Sequence, residues 1–136
     1  MSDMRTITCL HYIAAGRDQV WRALTDPCTT RRYYVGLAVD SDWQEGGPIA
    51  YRAPAGPAWA ALTGHIVRLE SGHTLMHTLD EGWVTWTVDE GQPGLCRVSL
   101  VHDDLDPSGD VPMDEVWHQV VSGLKTVVET GRALIA

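Results

Sequence analysis

The C-terminal run over residues 111–136, VPMDEVWHQVVSGLKTVVETGRALIA, carries the longest helix-period pattern in the chain. Its apolar residues recur at steps of three and four, which places them on one face of an α-helix. A helix of about 22–25 residues is ~35 Å long, so it needs a broad apolar surface to lie on. The rest of the chain must supply that surface. The apolar positions are Val116, Trp117, Val120, Val121, Leu124, Val127, Val128, Leu134 and Ile135.

Two glycines interrupt this helix pattern. Gly123 and Gly131 are poor helix residues. We interpret them either as points where the sheet or a ligand comes close to the helix, or as glycines that the helix simply tolerates.

The upstream sequence predicts two short helices and an antiparallel sheet. Residues 5–13 alternate as a strand, residues 17–26 have helical spacing, and Asp26-Pro27 marks the start of a second short helix that ends near Gly36. The order is therefore β, α, α, about six strands and a long α, an α+β fold. A long amphipathic helix would cover the single buried face of such a sheet, with the two short helices closing one end. The six later strands are predicted at 37–43, 48–54, 61–70, 73–79, 82–90 and 95–103.

Length and charge limit the classes of function. The chain has 136 residues, enough for a single domain over residues 1–136. Its net charge of −8 disfavours nucleic-acid binding, because an acidic domain repels phosphate. No run approaches a membrane span and the polar N-terminus lacks a signal segment, so we expect a cytoplasmic protein without membrane association.

The cysteine and histidine patterns predict no metal and no cofactor. Cys9, Cys28 and Cys96 are widely spaced and form no C-x-x-C pair. Zinc would require at least three convergent ligands, and no short ligand spacing occurs. The acidic stretch over 103–110 lacks the calcium-loop spacing and is interpreted as a solvated loop.

Several blocks of the sequence resemble a known superfamily. They are QVWRALTDP at 19–27, TRRYYVG at 30–36, SDWQEGGPIAYR at 41–52, the strand pair WVTWTVDE at 83–90 with GLCRVSLVHDDL at 94–105, and VWHQVVSGLKTVVETG at 116–131. Together they resemble the SRPBCC (START-like, helix-grip) superfamily, in the branch named after the activator of the heat-shock chaperone ATPase. The resemblance runs in register from about Ile7 to Gly131.

This resemblance implies a fold and a general type of function. The implied fold is a curved antiparallel sheet of seven strands around the C-terminal helix, as in START and Bet v-like proteins. Such proteins commonly hold a hydrophobic or amphipathic small molecule between sheet and helix, and some relatives are polyketide cyclases, lyases or lipid carriers. Chaperone activation belongs to larger relatives with an additional domain, so we do not expect that activity in 136 residues.

Strand parity selects three histidines for the concave face of the sheet. If Val84, Trp86 and Val88 point inward, the same rule turns His65, His77 and His102 inward. A histidine in a cavity could bond a ligand or act as an acid or base near neutral pH. The alternative is a half-exposed histidine at a strand end, satisfied by backbone or water. His77 and His102 are the only catalytic candidates, and no catalytic role is assigned to either.

Polar-edged aromatic residues complete the predicted site. Tyr33 and Tyr34 follow the second short helix, where they would either line one end of a cavity or pack. Trp59 lies in a Pro/Gly-rich loop and could form a lid, and Trp117 begins the long helix, where it would either line the cavity mouth or pack. The predicted ligand-binding residues are Tyr33, Tyr34, Tyr51, Trp59, His65, His77, Trp86, His102, Trp117, Val120 and Leu124.

These residues support one leading hypothesis and two alternatives. The leading hypothesis is a soluble protein that binds a small hydrophobic or aromatic ligand between the sheet and the C-terminal helix. The first alternative is a cyclase-, aromatase- or hydrolase-like enzyme that uses His77 or His102 as acid or base. The second is an interaction protein, either a homodimer or a partner of a chaperone.

Overall fold

The computed structural model describes residues 5–53, 62–79, 82–105 and 112–134, in which seven strands and three helices form. Within these ranges, no helix combines the length and apolar character needed to cross a membrane. The elements are β1 (Arg5–Ile13), α1 (Arg17–Thr25), α2 (Pro27–Thr30), β2 (Ala38–Ser41), β3 (Pro48–Arg52), β4 (Leu62–Glu70), β5 (Thr74–Thr78), β6 (Trp83–Gln92), β7 (Leu95–Leu105) and α3 (Met113–Thr130).

The seven strands form one curved antiparallel sheet. Their order is β1-β7-β6-β5-β4-β3-β2, so β1 and β7 are neighbours that are far apart in the chain, and α1 and α2 lie in the connection from β1 at one edge to β2 at the other. The remaining neighbours are consecutive in the chain and pair antiparallel. This architecture confirms the predicted fold class, including the position of the two short helices directly after the first strand.

Helix α3 buries the face that the sequence predicted. Val120, Val121 and Leu124 are completely buried, in one core cluster with side chains of the sheet. The helix is shorter than predicted, because Gly131 adopts a left-handed conformation (φ 75°) and its N–H bonds the carbonyl of Val127. This is a common way to end a helix, so Gly131 is a terminator and the apolar pattern at Leu134 lies beyond the helix.

Helix α2 is also shorter than predicted. It ends at Thr30, and the chain continues through turns to Val35, where φ is +46°. The Thr30 hydroxyl donates to the carbonyl of Pro27 and accepts the N–H of Val39. Thr30 therefore joins the short helix to the first residues of β2, and the turns place Tyr33 and Tyr34 in the core.

Strand parity holds in β5, β6 and β7 but fails in β4. Val84, Trp86 and Val88 are buried as predicted. In β4 the inward positions are Gly64 and Ile66, and a bulge shifts the pairing after Ile66. The predicted inward placement of His65 is therefore wrong: its side chain is exposed. A bulge reverses side-chain parity along a strand, which an alternation pattern alone does not reveal.

Gly123 permits a close approach between α3 and the chain after α2. A Cβ atom at Gly123 would lie 2.9 Å from the Cβ of Tyr33 and 3.4 Å from its Cα and carbonyl oxygen. The neighbour is thus Tyr33, and neither the sheet nor a ligand explains this glycine. The Tyr33 side chain is fixed in turn, because its hydroxyl donates to the carbonyl of Ala23 at 2.7 Å.

We predict that Gly123→Ala destabilises the protein. Alanine in a helix interior is normally favoured over glycine by about 1 kcal/mol. Here the added methyl group would collide with Tyr33, whose backbone is held in a buried turn, and such overpacking costs about 1–3 kcal/mol. Urea denaturation measures the change in unfolding free energy.

Ser122→Ala is the matched control, since it makes the neighbouring helix position alanine at a half-buried site. We expect Ser122→Ala to be neutral or slightly stabilising. A stabilising effect of Gly123→Ala would contradict the close approach described for Tyr33.

Candidate functional site

A cluster of polar-edged side chains lies buried between the sheet and α3. We call Tyr34, Tyr51, His77, Trp86, His102 and Trp117 the polar cluster. Each of them is at most 4% exposed. The turns after α2 supply Tyr34, and β3, β5, β6, β7 and α3 supply one residue each.

The cluster lies toward one end of the sheet. Antiparallel pairing brings the C-terminal ends of β3, β5 and β7 to the same end of the sheet. Near these ends lie Tyr51, His77 and His102, respectively. Trp117 is in the first turns of α3.

Tyr34 is the centre of the cluster. Its ring makes edge-on contacts with Tyr51 and Trp117, at centroid distances of 5.1 and 5.8 Å. The ring of Trp86 lies 6.2 Å away, tilted against that of Tyr34. One residue between α2 and β2 thus touches the sheet and the long helix at once.

A directed chain of hydrogen bonds runs through the cluster. His77 Nδ1 lies 2.8 Å from the carbonyl of Thr78, which can only accept, so Nδ1 carries the proton. His77 Nε2 therefore accepts from the Tyr51 hydroxyl at 3.1 Å. The Tyr51 oxygen is then left to accept from the Tyr34 hydroxyl at 2.9 Å. The order is Tyr34 to Tyr51 to His77 to the Thr78 carbonyl.

Burial keeps every member of this chain neutral near pH 7. Desolvation raises the pKa of Tyr34 and Tyr51 above the ordinary tyrosine value, so both hydroxyls stay protonated. Desolvation likewise lowers the pKa of His77 from 6.5 to about 4, aided by the nearby His102 and opposed by the bond to Thr78. A neutral His77 holds its single proton on Nδ1, bonded to the Thr78 carbonyl, and is not an imidazolium acid at neutral pH.

His102 and Trp117 form a second buried pair. The Trp117 indole N–H donates to His102 Nδ1 at 2.9 Å, and the two rings meet edge-on at 5.6 Å. Because an indole N–H can only donate, His102 Nδ1 must be unprotonated, which fixes the tautomer. This contact joins the start of α3 to the end of β7. Trp117 is 2% exposed, so of its two predicted positions, cavity mouth or packing, the structure has the buried one.

The other predicted site residues have different surroundings. Val120 and Leu124 are fully buried on α3, and Tyr33 is buried against α1 and α3 rather than in the hydrogen-bonded chain. His65 is on the outer face of the sheet. Trp59, the predicted lid, lies outside the described residues.

One participant could not have been predicted from residue types. The acceptor that fixes the His77 tautomer is a main-chain carbonyl, that of Thr78, which any residue would offer.

Every buried side-chain nitrogen or oxygen in the described ranges has a hydrogen-bond partner. Across those same ranges, no group of three or more His, Cys, Asp or Glu side chains is arranged to hold a metal ion.

The model of a known protein family matches most of this chain. The model of a family described as "Activator of Hsp90 ATPase homolog 1-like protein" matches residues 14–129, well over half of the sequence. The chain belongs to this family. The match confirms the resemblance noted for the sequence blocks, and the AHSA1-like family is a branch of the helix-grip superfamily. No curated protein matches the sequence.

Solved structures share the fold of this AHSA1-like protein. The crystal structure of protein SSP2350 from Staphylococcus saprophyticus is 24% identical, with 97% of each chain covered and a TM-score of 0.77. The Aha1 dimer from Colwellia psychrerythraea is 15% identical, with 96% of this chain and 100% of that chain covered and a TM-score of 0.77. CalU16 from Micromonospora echinospora is 20% identical, covering 96% and 78%, with a TM-score of 0.75. At these identities the likeness shows the fold alone.

We predict that His77 makes the AHSA1-like protein less stable as the pH falls. Its pKa is lower in the folded state, about 4, than the ordinary 6.5, so the unfolded chain binds a proton first. The free energy of unfolding is unaffected by protonation of His77 above pH 6.5. Below pH 6.5 it falls, by about 2 kcal/mol between pH 7 and pH 5. Urea denaturation at the two pH values measures this loss.

Between pH 7 and pH 5, the free energy of unfolding of the variant His77→Gln should fall by about 2 kcal/mol less than that of the wild type. This holds whatever the stability of the variant at pH 7. His65→Gln, which changes an exposed histidine, should keep the wild-type drop. Equal drops in wild type and His77→Gln would show that His77 is not buried in its neutral form.

Proposed function

We propose that this protein binds a small hydrophobic or aromatic molecule between the sheet and α3, oriented by the polar cluster. One observation carries the proposal. Two tyrosines, two histidines and two tryptophans converge, fully buried, at one end of an otherwise apolar interior. Concave sites for small molecules have this composition, an apolar lining with a few convergent polar groups.

The energetics of burial support a role beyond packing. Each polar group in the core costs free energy unless it is hydrogen-bonded, and an apolar side chain of the same size would avoid that cost. The cluster retains four hydroxyl or imidazole groups: Tyr34, Tyr51 and His77 are bonded in series, and His102 accepts from Trp117. A ligand hydroxyl or carbonyl could replace one of these partners without leaving a group unsatisfied.

The geometry also indicates which ligand chemistry fits. Tyr34, Tyr51 and His77 are uncharged near neutral pH because burial shifts their pKa values. A charged ligand group would find no opposite charge among these three side chains. The favoured ligand is therefore neutral at its buried end, such as a phenol or an aromatic ketone, with apolar contacts to Val120 and Leu124.

The enzyme alternative is less well supported for His77. A histidine acts as a general acid in its imidazolium form, and the lowered pKa of His77 leaves it neutral near pH 7. Its remaining lone pair accepts from Tyr51, so it is already occupied. The observations favour binding over acid catalysis at this residue.

We predict that native mass spectrometry will detect a one-to-one complex within a panel of phenols, aromatic ketones and medium-chain fatty acids. For the best ligand, Tyr51→Phe should weaken binding about tenfold, the equivalent of one buried hydrogen bond of about 1.4 kcal/mol. Isothermal titration calorimetry measures the affinity.

Tyr12→Phe is the matched control, because it removes a tyrosine hydroxyl that is 54% exposed on β1. Its affinity should equal that of the wild type. The proposal fails if the whole panel gives no complex, or if Tyr51→Phe and Tyr12→Phe bind equally well.

A second candidate function, self-association, is favoured by one surface feature. Leu10 and Tyr12 occupy alternate positions of edge strand β1 and are 43% and 54% exposed. Exposed apolar side chains on an edge strand invite pairing with another chain. The Aha1 structure from Colwellia psychrerythraea is that of a dimer.

Light scattering coupled to size exclusion tests this candidate. If β1 mediates self-association, the wild type should have twice the mass of the chain and Leu10→Ser/Tyr12→Ser should be monomeric. A wild-type monomer at high micromolar concentration would exclude it.

A further inference from the structure

Tyr33, whose ring lies beside Tyr34 of the polar cluster, also lines a concave site at the surface. It is a surface groove of about 240 Å³ between the turns after α2 and helix α3. We call it the arginine groove, lined by Arg31, Arg32, Tyr33, Val35, Gly123 and Leu134. None of these residues except Tyr33 was part of the predicted ligand site, and the groove is separate from the interior site proposed above.

The arginine groove is positively charged in an acidic protein. The chain carries a net charge of −8, yet the groove has two guanidinium groups in its lining and no carboxylate. Gln119 of α3 also borders the groove. Glu115 lies one helical turn before Gln119, and Glu115 forms no ion pair with Arg31 or Arg32. The groove would thus attract an anion that the rest of the surface repels.

The two arginines differ in what holds them. Arg32 donates from Nη2 to the carbonyl of Gly131 at 2.5 Å, which anchors it beside the end of α3. The Arg31 side chain has no hydrogen bond or ion pair to any of the described residues. One guanidinium is therefore positioned and the other retains all its donors for a ligand. Guanidinium groups bind carboxylates through two parallel N–H···O bonds.

Two apolar side chains of the lining are partly exposed. Val35 and Leu134 are 50% and 48% exposed, two of the large hydrophobic side chains left in solvent. Both border the arginine groove. A ligand that covered them would remove apolar surface from water, which favours binding.

The backbone at Val35 adds a further argument. Val35 has φ +46°, in the left-handed region that β-branched residues avoid, and Gly36 follows with φ +81°. Such strain persists where the surrounding structure enforces it, and it is frequent at ligand sites. Here it turns the Val35 side chain outward, beside the two arginines, instead of into the core.

We propose that the arginine groove binds a small organic carboxylate with an apolar body. The carboxylate would pair with Arg31 and Arg32, and the body would lie on Val35 and Leu134. The volume is below the roughly 300–1,000 Å³ of pockets for drug-sized ligands, so a compact acid of the size of benzoate fits. This charge requirement is the opposite of that in the interior site, whose groups are neutral.

An NMR titration with benzoate and with benzamide tests the proposal at low ionic strength. Benzoate should shift the amide signals of Gly36 and Gly123 and the side-chain Nε signals of Arg31 and Arg32. Benzamide has the same ring without the charge and should bind at least about tenfold more weakly. Arg31→Gln should weaken benzoate binding about fivefold or more, while the spectrum stays that of the folded protein.

The matched control is Arg97→Gln, which removes an exposed arginine from the outer sheet face. It should leave benzoate binding unchanged. The proposal is overturned if benzoate shifts no groove signal, if benzamide binds equally well, or if Arg31→Gln and Arg97→Gln have the same effect. Shifts confined to the Trp86 and Trp117 indole signals would overturn it too, and would place the ligand in the interior site.

Discussion

The hydroxyl of Tyr34 can be buried only if it has partners, and that requirement links the parts of this structure. Its bonds reach Tyr51 and through it His77, while its ring contacts Trp86 and Trp117. A phenol without hydrogen bonds in the core would cost more than its packing returns. The short helices, the sheet and α3 must therefore meet in one arrangement for this residue to be satisfied. An apolar residue at the same place would impose no such condition.

The sequence predicted the fold well because its main signals were long and locally consistent. The apolar stripe of α3 and the alternation in β6 and β7 each span many residues, and both are buried as expected. The errors occurred where one residue overrides a periodic signal. Gly131 ends the helix although Leu134 continues the stripe, and a bulge after Ile66 places His65 outside. Local backbone conformation decided these cases, and hydrophobic periodicity does not report it.

The candidate site could be predicted only as a set of residues, without its bonds. Parity brought His77, His102 and Trp86 to the inner face, and they are buried there. The pairing of Trp117 with His102 depends on how far α3 is shifted along β7, a tertiary property with no local signature. The arginine groove was missed for a similar reason, since it forms where a turn and a distant helix come within contact of each other.

The one-way order of donors from Tyr34 to the Thr78 carbonyl has a consequence for how this protein can evolve. Tyr51 and His77 each accept from the group before them and donate to the group after them, so replacing one leaves an orphaned group on another. The energies of such changes are not additive, and a joint replacement can cost less than either single step. Positions 34, 51 and 77 should therefore be inherited as a unit. Relatives should keep all three or have exchanged them together for an apolar set.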